Sequence, residues 1–485
     1  MDYTLHAHAR TIVRIICTAT KTGINKIVDI CMLEVILAAI HHSDPTPFLL
    51  VAQTANMQGK RLWENRCARA ARGLTEPISR KYLRTHNPMF LTMTTIKEKM
   101  AERTKFVDNW FEREAQLEGM KKGIADLLNL ARCTWPPERA LPEHITKICK
   151  EVIDKKPDYR FFGLPELRRA IAEKLERENG VDVDSEKQVL ITNGGMEAIY
   201  LAIFTFINHG DEFVMGNPGY VNAYESNILM AGGRLVHVPV KEERNFELDP
   251  TDVEKKITSH TKIISVTSPE NPTGAVMKKN DLAVIAEIAK KHDLVVFSNE
   301  IYEKLVYGGK RNVSIASLPG MEDRTLTING VSKGYDLHGF RVGYLAGPEA
   351  AISRMKNMQS HLSCSINDVG QHAALAALRG PQGWIKDAVK EFEGRRNFLV
   401  KELNRIDGVK CLMPDGSMFA FPNIKEFGMS SFEFMKYLLE KARVWVHPGT
   451  LFGPYGEGYL RVSFSRSQEV LTEALERIKA ALENL

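Results

Sequence analysis

Short runs rich in β-branched and aromatic residues recur through the middle of the chain, separated by stretches whose apolar residues fall at helical spacing. The strand candidates are 188–192, 212–216, 234–239, 262–267, 294–298, 324–329 and 342–346. Helical patterns fill the gaps at 197–207, 220–231, 250–258, 278–292 and 350–359. Near-continuous apolar strands alternating with helices predict an α/β fold, a mostly parallel seven-stranded sheet covered by helices on both faces. From residue 381 the pattern changes to long helices (382–404, 431–441 and 468–484) with a few short strands. That predicts a second, smaller α+β domain. The expected divisions are 93–138 as the N-terminal part of the small domain, 139–375 as the large domain, and 376–485 as the rest of the small one.

Residues 1–92 lack this organisation. The run 24–40 is apolar but interrupted by Asn25, Lys26, Asp29 and Glu34, so it reads as an amphipathic helix, not a spanning one. Residues 41–92 hold little periodicity, and Met93 opens a stretch that would serve as an amino terminus. An upstream region read from a misplaced start, a targeting or regulatory extension, and a small added domain are the competing readings. The misplaced start is preferred, because there is no secretory pattern and acidic residues and His-rich turns fit a transit peptide badly.

At 485 residues the chain exceeds the usual single-domain ceiling. Its 44% apolar and 26% charged residues are those of an ordinary soluble protein, and no membrane partner is expected. The net charge of +5 is unevenly spread: residues 1–92 carry twelve Lys/Arg against six Asp/Glu, which leaves the remainder at −1. No nucleic-acid footprint is left in the main body. Seven scattered cysteines (17, 31, 67, 133, 149, 364 and 411) argue against a disulfide framework or a metal site and for a reducing compartment, the cytoplasm. They are read as small buried or half-buried residues.

In an open α/β sheet ligands sit beyond the carboxyl ends of the strands, so the chemistry should follow strands. After 188–192 comes Asn193-Gly194-Gly195-Met196, opening a helix; paired glycines and a helix start suit an anion, and equally a tight turn. After 212–216, Asn217-Pro218-Gly219-Tyr220 presents an aromatic ring that can stack on a planar heterocycle or simply be exposed. Ser268-Pro269-Glu270-Asn271-Pro272-Thr273-Gly274 fixes a rigid turn with an amide, Asn271, offering donor and acceptor. Asn299 and Tyr302 follow 294–298, where a polar residue can reach a ring nitrogen or a phenolic oxygen. After 324–329 comes Val331-Ser332-Lys333-Gly334, with Arg341 eight residues beyond the lysine. A neutral lysine amine forms an imine with an aldehyde and an arginine holds a phosphate, and pyridoxal phosphate carries both groups. Arg461, inside an apolar strand of the second domain, suits a carboxylate or a buried ion pair.

Taken together and in this order, these strings resemble the class I/II aminotransferases among the fold-type-I pyridoxal-phosphate enzymes. The likeness covers residues 94–485 and includes Tyr159-Arg160-Phe161-Phe162-Gly163-Leu164-Pro165. It implies that 139–375 is a cofactor-binding domain in which Lys333 holds pyridoxal phosphate and moves a proton at the substrate α-carbon. By the same resemblance Arg341 and the backbone of Gly195 and Met196 bind the phosphate, helped by Tyr159 from a second subunit. Tyr220 stacks on the ring, Tyr302 and Asn271 bond its phenolic oxygen, Asn299 faces its nitrogen, and Arg461 takes the α-carboxylate of an amino acid or 2-oxo acid. The implied protein is a homodimer with shared sites that works by a ping-pong route.

Three positions depart from that pattern. Asn299 stands where the family has an aspartate whose charge keeps the ring nitrogen protonated. An amide only hydrogen-bonds, which leaves open a slower transaminase, a lyase or racemase, or a regulatory relative without turnover. Arg132 stands where a small residue lines the substrate pocket, and is read equally as pairing with an acidic substrate or folding outward. Gly330 replaces a hydroxyl that touches the phosphate. Retention of Lys333, Arg341 and Arg461 together weighs against a pure scaffold.

Overall fold

The computed structural model describes residues 123–136, 139–483 and 485, with Ala101, Arg103, Thr104 and Lys121, all within the unit Ile96–Leu485. The expectations for residues 1–92, and Cys17, Cys31 and Cys67, lie outside the described residues.

The first described strand, β1 (Leu128–Asn129), stands apart from the main sheet. That sheet comprises β2 (Val189–Thr192), β3 (Glu212–Asn217), β4 (Arg234–Pro239), β5 (Thr261–Thr267), β6 (Val295–Asn299), β7 (Thr325–Gly330) and β8 (Gly343–Ala346), in the order β2-β8-β7-β6-β5-β3-β4. All neighbours are parallel except β8, which runs antiparallel to both β2 and β7. Each strand begins and ends within one residue of the bounds expected from the sequence.

Strand periodicity of two divides the apolar residues between the faces. Phe213 and Met215 pack on one side with helices Gly195–Phe206 and Glu349–Leu362, while Val214 between them joins the core beneath helix Lys279–Lys291. Both faces are apolar because both are covered, and every residue of β2, β3, β7 and β8 is buried.

Helices depart from the sequence reading in six places. The stretch expected as one helix over 220–231 is a 3₁₀ turn, Val221–Ala223, followed by helix Glu225–Met230, with Tyr224 between them. That break lets the Tyr224 ring enter the core and its hydroxyl reach the end of β6. The helix expected over 250–258 stops at Glu254, and the one over 431–441 is α-helical to Tyr437 and then widens to a π turn. Helices Glu143–Asp154, Pro165–Lys174 and Asp368–Arg379 have no counterpart in the sequence reading; they pack on one another and on β2 and β8.

Beyond the main sheet, β9 (Phe419–Ala420), β11 (His447–Pro448) and β12 (Leu460–Ser463) form an antiparallel sheet in the order β11-β12-β9. The remaining strand, β10 (Val444–Trp445), pairs in parallel with β1. Helices Gly383–Leu403 and Gln468–Leu482 pack over these strands, the latter capped by Ser467 on the amide of Val470. No helix among the described residues is long and apolar enough to cross a membrane.

Behind β6 lies a buried charged cluster. Lys174, 1% exposed, pairs with Glu303 and donates to Asn179 Oδ1 at 2.7 Å. Asn179 Nδ2 in turn donates to Glu303 Oε2 at 2.7 Å and Glu300 Oε2 at 3.0 Å. Burial, and then the charge of Glu303, push Glu300 up to about 7. Replacing Lys174 by Met would strand a carboxylate in the interior, and a loss of about 3–5 kcal/mol is expected. Urea unfolding monitored by circular dichroism measures it.

Candidate active site

The sheet's carboxyl ends bring together three segments at one point. Gly194 precedes helix Gly195–Phe206 with φ +80°, and the Arg341 guanidinium occupies the space its Cβ would need. Gly343, at the start of β8, lies so close that a Cβ there would stand 2.7 Å from the amide nitrogen of Gly195. No side chain caps the helix, so the amides of its first turn and the arginine converge on one small space. Helix dipole and guanidinium act in the same sense, and a phosphate ester fits that donor set. Arg341 itself has φ +57°, and its Nη1 donates to the carbonyl of His338 at 3.0 Å.

Gly330 has a local cause. At the crossing of β7 and β8 a Cβ would stand 2.9 Å from both Gly343 Cα and the Val342 carbonyl oxygen. A hydroxyl-bearing side chain does not fit there without moving backbone.

Lys333 follows β7 in the short turn Val331–Gly334. Its amine donates to the carbonyl of Cys133, and the indole of Trp135 donates to the Lys333 carbonyl at 2.6 Å. Three residues on, Asp336 is pushed up to about 7 by burial, against the opposing charges of Arg139 and Lys333. His338, whose Nδ1 is 3.5 Å from Asp336 Oδ1, is held below its ordinary value by burial and then by Lys333, Arg132 and Arg341.

Asn299 ends β6, buried, and its Nδ2 donates to the Tyr224 hydroxyl at 3.0 Å. Its Oδ1 accepts from the amide of Ile301 at 3.3 Å. Tyr302 is buried beside it, and burial pushes its hydroxyl well up, with Cys133, Tyr220 and Glu270 adding to the effect and Arg461 opposing it. Tyr220 is half-buried at the start of its 3₁₀ turn. Glu270 accepts from the amide of Asn271 at 2.9 Å, and burial pushes it up to about 8.

Arg461, 4% exposed on β12, lies between the rings of Phe419 and Phe452, 4.2 and 4.8 Å from their centroids. It donates to Asn271 Oδ1 at 3.1 Å and the Ala131 carbonyl at 2.8 Å, and meets His447 Nδ1 at 2.8 Å. Burial and then the charge of Arg461 hold His447 far below its ordinary value, so the imidazole is neutral and accepts.

Lys333, Asn271, Asn299, Tyr302 and Arg461 are thus linked through direct bonds or shared neighbours, and Arg341 lies against Gly194 where the helix opens with Gly195 and Met196. Tyr159 is elsewhere in the chain's own surface, 52% exposed, with its ring edge-on to Phe161 at 4.8 Å. Arg132 is exposed and its Nε donates to Thr134 Oγ1 at 2.8 Å, which favours the outward reading over an inward one in this conformation. The uniform reading of the cysteines needs correcting: Cys364 is exposed at a left-handed φ of +58°, and Cys133 borders the lysine. Sequence reasoning missed Tyr224, Glu270, Asp336, His447 and Cys133. Only spacing hinted at two of them, Tyr224 one helical turn after Tyr220 and Asp336 three residues after Lys333.

An amine and a guanidinium at the ends of adjoining strands stand beside an uncapped helix start, with a second arginine in a separate sheet, and the comparisons give this arrangement its class: enzymes that transfer amino groups. The chain belongs to the class I and II aminotransferases: the model of that family matches residues 154–478. It is 39% identical to aromatic-amino-acid aminotransferase 2 of Thermococcus litoralis, over 76% of this chain and 94% of that protein. It is 38% identical to the aspartate aminotransferase of Pyrococcus abyssi, over 74% and 92% respectively. The crystal structure of an aromatic aminotransferase from Pyrococcus horikoshii superposes with a TM-score of 0.72 at 37% identity, covering 76% of this chain and 99% of that one. The protein is therefore an enzyme that transfers amino groups, in a family that depends on pyridoxal phosphate.

Two measurements test this geometry. A methyl group in Gly194→Ala would displace the Arg341 guanidinium, and pyridoxal phosphate is expected to bind roughly tenfold more weakly, about 1.4 kcal/mol, in a fluorescence titration. For Asp336 the folded form holds a proton that the unfolded chain releases, so its stabilising contribution is complete below the ordinary carboxyl value of 3.8 and is lost as pH rises through about 7. Asp336→Asn should therefore gain on the wild type in unfolding free energy as pH rises across that window, and match its pH trend below it.

Proposed function

We propose that the protein moves an amino group between an amino acid and a 2-oxo acid by a ping-pong exchange, with pyridoxal phosphate attached at Lys333. The observation that carries this reading is the Arg341 guanidinium laid over Gly194 at an uncapped helix start, eight residues along the chain from a lysine that faces the same end of the sheet. When bound, pyridoxal phosphate supplies an aldehyde for the amino group and a ring that draws electrons from the α-carbon.

The chain's own residues do the rest. Arg461 takes the substrate's α-carboxylate through its planar fork, held in orientation by Asn271 and neutral His447. The Lys333 amine would take the proton from the substrate's α-carbon and hold it for return to the reacting carbons. Tyr220 would stack on the ring, Tyr302 and Asn271 would bond its phenolic oxygen, and Arg341 with the amides of Gly195 and Met196 would hold the phosphate. Asn299 would face the ring nitrogen with an amide that is otherwise engaged by Tyr224 and Ile301.

A homodimer completes this reading. Tyr159, Phe161 and Phe162 are 52%, 54% and 41% exposed in one neighbouring cluster, an apolar surface that supports burial against a second copy, with Tyr159 reaching the partner's phosphate. The parallel β1–β10 pairing supports grouping 93–138 with 376–485 as one small domain beside 139–375. A cytoplasmic location is consistent with the scattered cysteines.

Purified protein should carry an absorption band of bound pyridoxal phosphate, and borohydride should fix the label on Lys333. A panel of aspartate, phenylalanine and alanine, each added without an oxo acid, should shift that band for the true donors. Colourless protein that takes up no cofactor, or a label absent from Lys333, overturns the reading. Restoring the charge with Asn299→Asp should raise the amino-transfer rate roughly tenfold to a hundredfold, as expected for one charge-assisted hydrogen bond of about 1.5–3 kcal/mol. Stopped-flow half-reactions measure the change.

A further inference from the structure

The turn that bears Tyr220 and the strand that bears Arg461 belong to different sheets, and one buried amide joins their surroundings. Asn217 ends β3 with no exposed surface, and its carbonyl accepts from the amide of Val240 at 2.9 Å. Its Nδ2 meets His237 Nδ1, on β4, at 3.1 Å, and its Oδ1 accepts from the amide of Tyr455 at 3.1 Å. Burial holds His237 below its ordinary value, so the ring is neutral and its Nδ1 accepts, which leaves the amide oxygen to face Tyr455. Two residues on, the amide of Gly219 donates to the Phe452 carbonyl at 3.1 Å. The segment 452–455 is therefore bonded twice to the start of the Tyr220 turn.

That segment has little freedom to move independently. Gly453 has φ +104°, and the room a Cβ would need there is taken by the Asn217 side chain. The amide of Gly453 donates to the Thr450 carbonyl at 3.2 Å, and the amide of Gly456 to the Gly453 carbonyl at 3.0 Å. Phe452, 1% exposed, sets its ring centroid 4.8 Å from the Arg461 guanidinium. Asn271, the Ala131 carbonyl and His447 hold that guanidinium by hydrogen bonds, whereas Phe419 and Phe452 hold it by their rings. Among these five partners, Phe452 is the one that shares a bonded segment with Asn217.

We propose that Asn217 is a positioning residue for the substrate's carboxylate: it clasps the segment 452–455, and with it the Phe452 wall of Arg461, to the turn that carries Tyr220. The clasp sets the span between the ring that would stack on the cofactor and the fork that would take the carboxylate, and small errors in such a span are costly to an oriented reaction. This inference rests on the carboxylate role proposed above for Arg461.

The test uses full-length protein loaded with pyridoxal phosphate and measures binding of succinate and of 3-phenylpropionate by calorimetry. Asn217→Ala empties the clasp, and Gly453→Ala wedges it open from the opposite side. Each should weaken carboxylate binding roughly tenfold, the scale of one lost buried hydrogen bond. Affinity for pyridoxal phosphate, read by fluorescence titration, should stay within about twofold, and Asn217→Ala should cost nothing further in an Arg461→Gln background. Carboxylate binding unchanged in both clasp variants, or cofactor and carboxylate weakened alike, overturns the proposal. Failure of the Arg461 reading would look different: wild-type protein that binds neither carboxylate, or Arg461→Gln that binds them unchanged, removes that role and this inference with it.

Discussion

An arginine side chain laid across a residue that has none organises the whole site. Arg341 can lie over Gly194 only because that position lacks a Cβ, and β8 can approach the same turn only because Gly343 also lacks one. These two omissions let a helix start, a strand start and a guanidinium meet within a few ångströms. The positive end of the helix and the fixed charge then reinforce each other in a place that backbone alone could not make so cationic. Lys333, one short turn beyond β7, is positioned by the same crossing of β7 and β8 that excludes a side chain at Gly330.

The sheet was legible from the chain because its strands are buried on both faces. A run such as Val189 to Thr192, short, β-branched and closed by a glycine-bearing turn, suits a covered strand and little else. Helices on its flanks were less legible. Glu143–Asp154 and Asp368–Arg379 satisfy each other's apolar stripes, a relation between segments more than two hundred residues apart that no local pattern announces. The break at Tyr224 likewise answers to a tertiary demand, a ring carried beneath Asn299, and not to local propensity. In the site, Lys333, Arg341, Asn271 and Arg461 were visible because they sit in compact strings after or within strands. Glu270, His447 and Cys133 were not, since what distinguishes them is burial by other parts of the chain, joined for His447 and Cys133 by the charge of Arg461.

The position of Asn299 recasts how charge is distributed around the cofactor region. The end of β6 carries an amide held by Tyr224, while the nearest carboxylic acids with strongly raised values, Glu270 and Glu300, lie on either side of it along the chain and are kept from ionising easily by burial. Negative charge is thus held back from this end of the sheet, where the guanidinium groups of Arg341 and Arg461 stand. Under the function proposed above, surroundings of that sign favour the anionic groups of cofactor and substrate and offer little help to a protonated ring nitrogen.

The parallel pairing of Leu128–Asn129 with Val444–Trp445 joins segments separated by more than three hundred residues. As a ribosome makes the chain from its amino end, the early strand has no partner until the late one has emerged, and the Arg461 bond to the Ala131 carbonyl waits for the same moment. The central sheet can assemble beforehand, but this pairing and this bond form only once residues 444–461 have been made. A nascent chain that ends before Val444 would therefore have the turn of Gly194 and Arg341 without the Arg461 side chain.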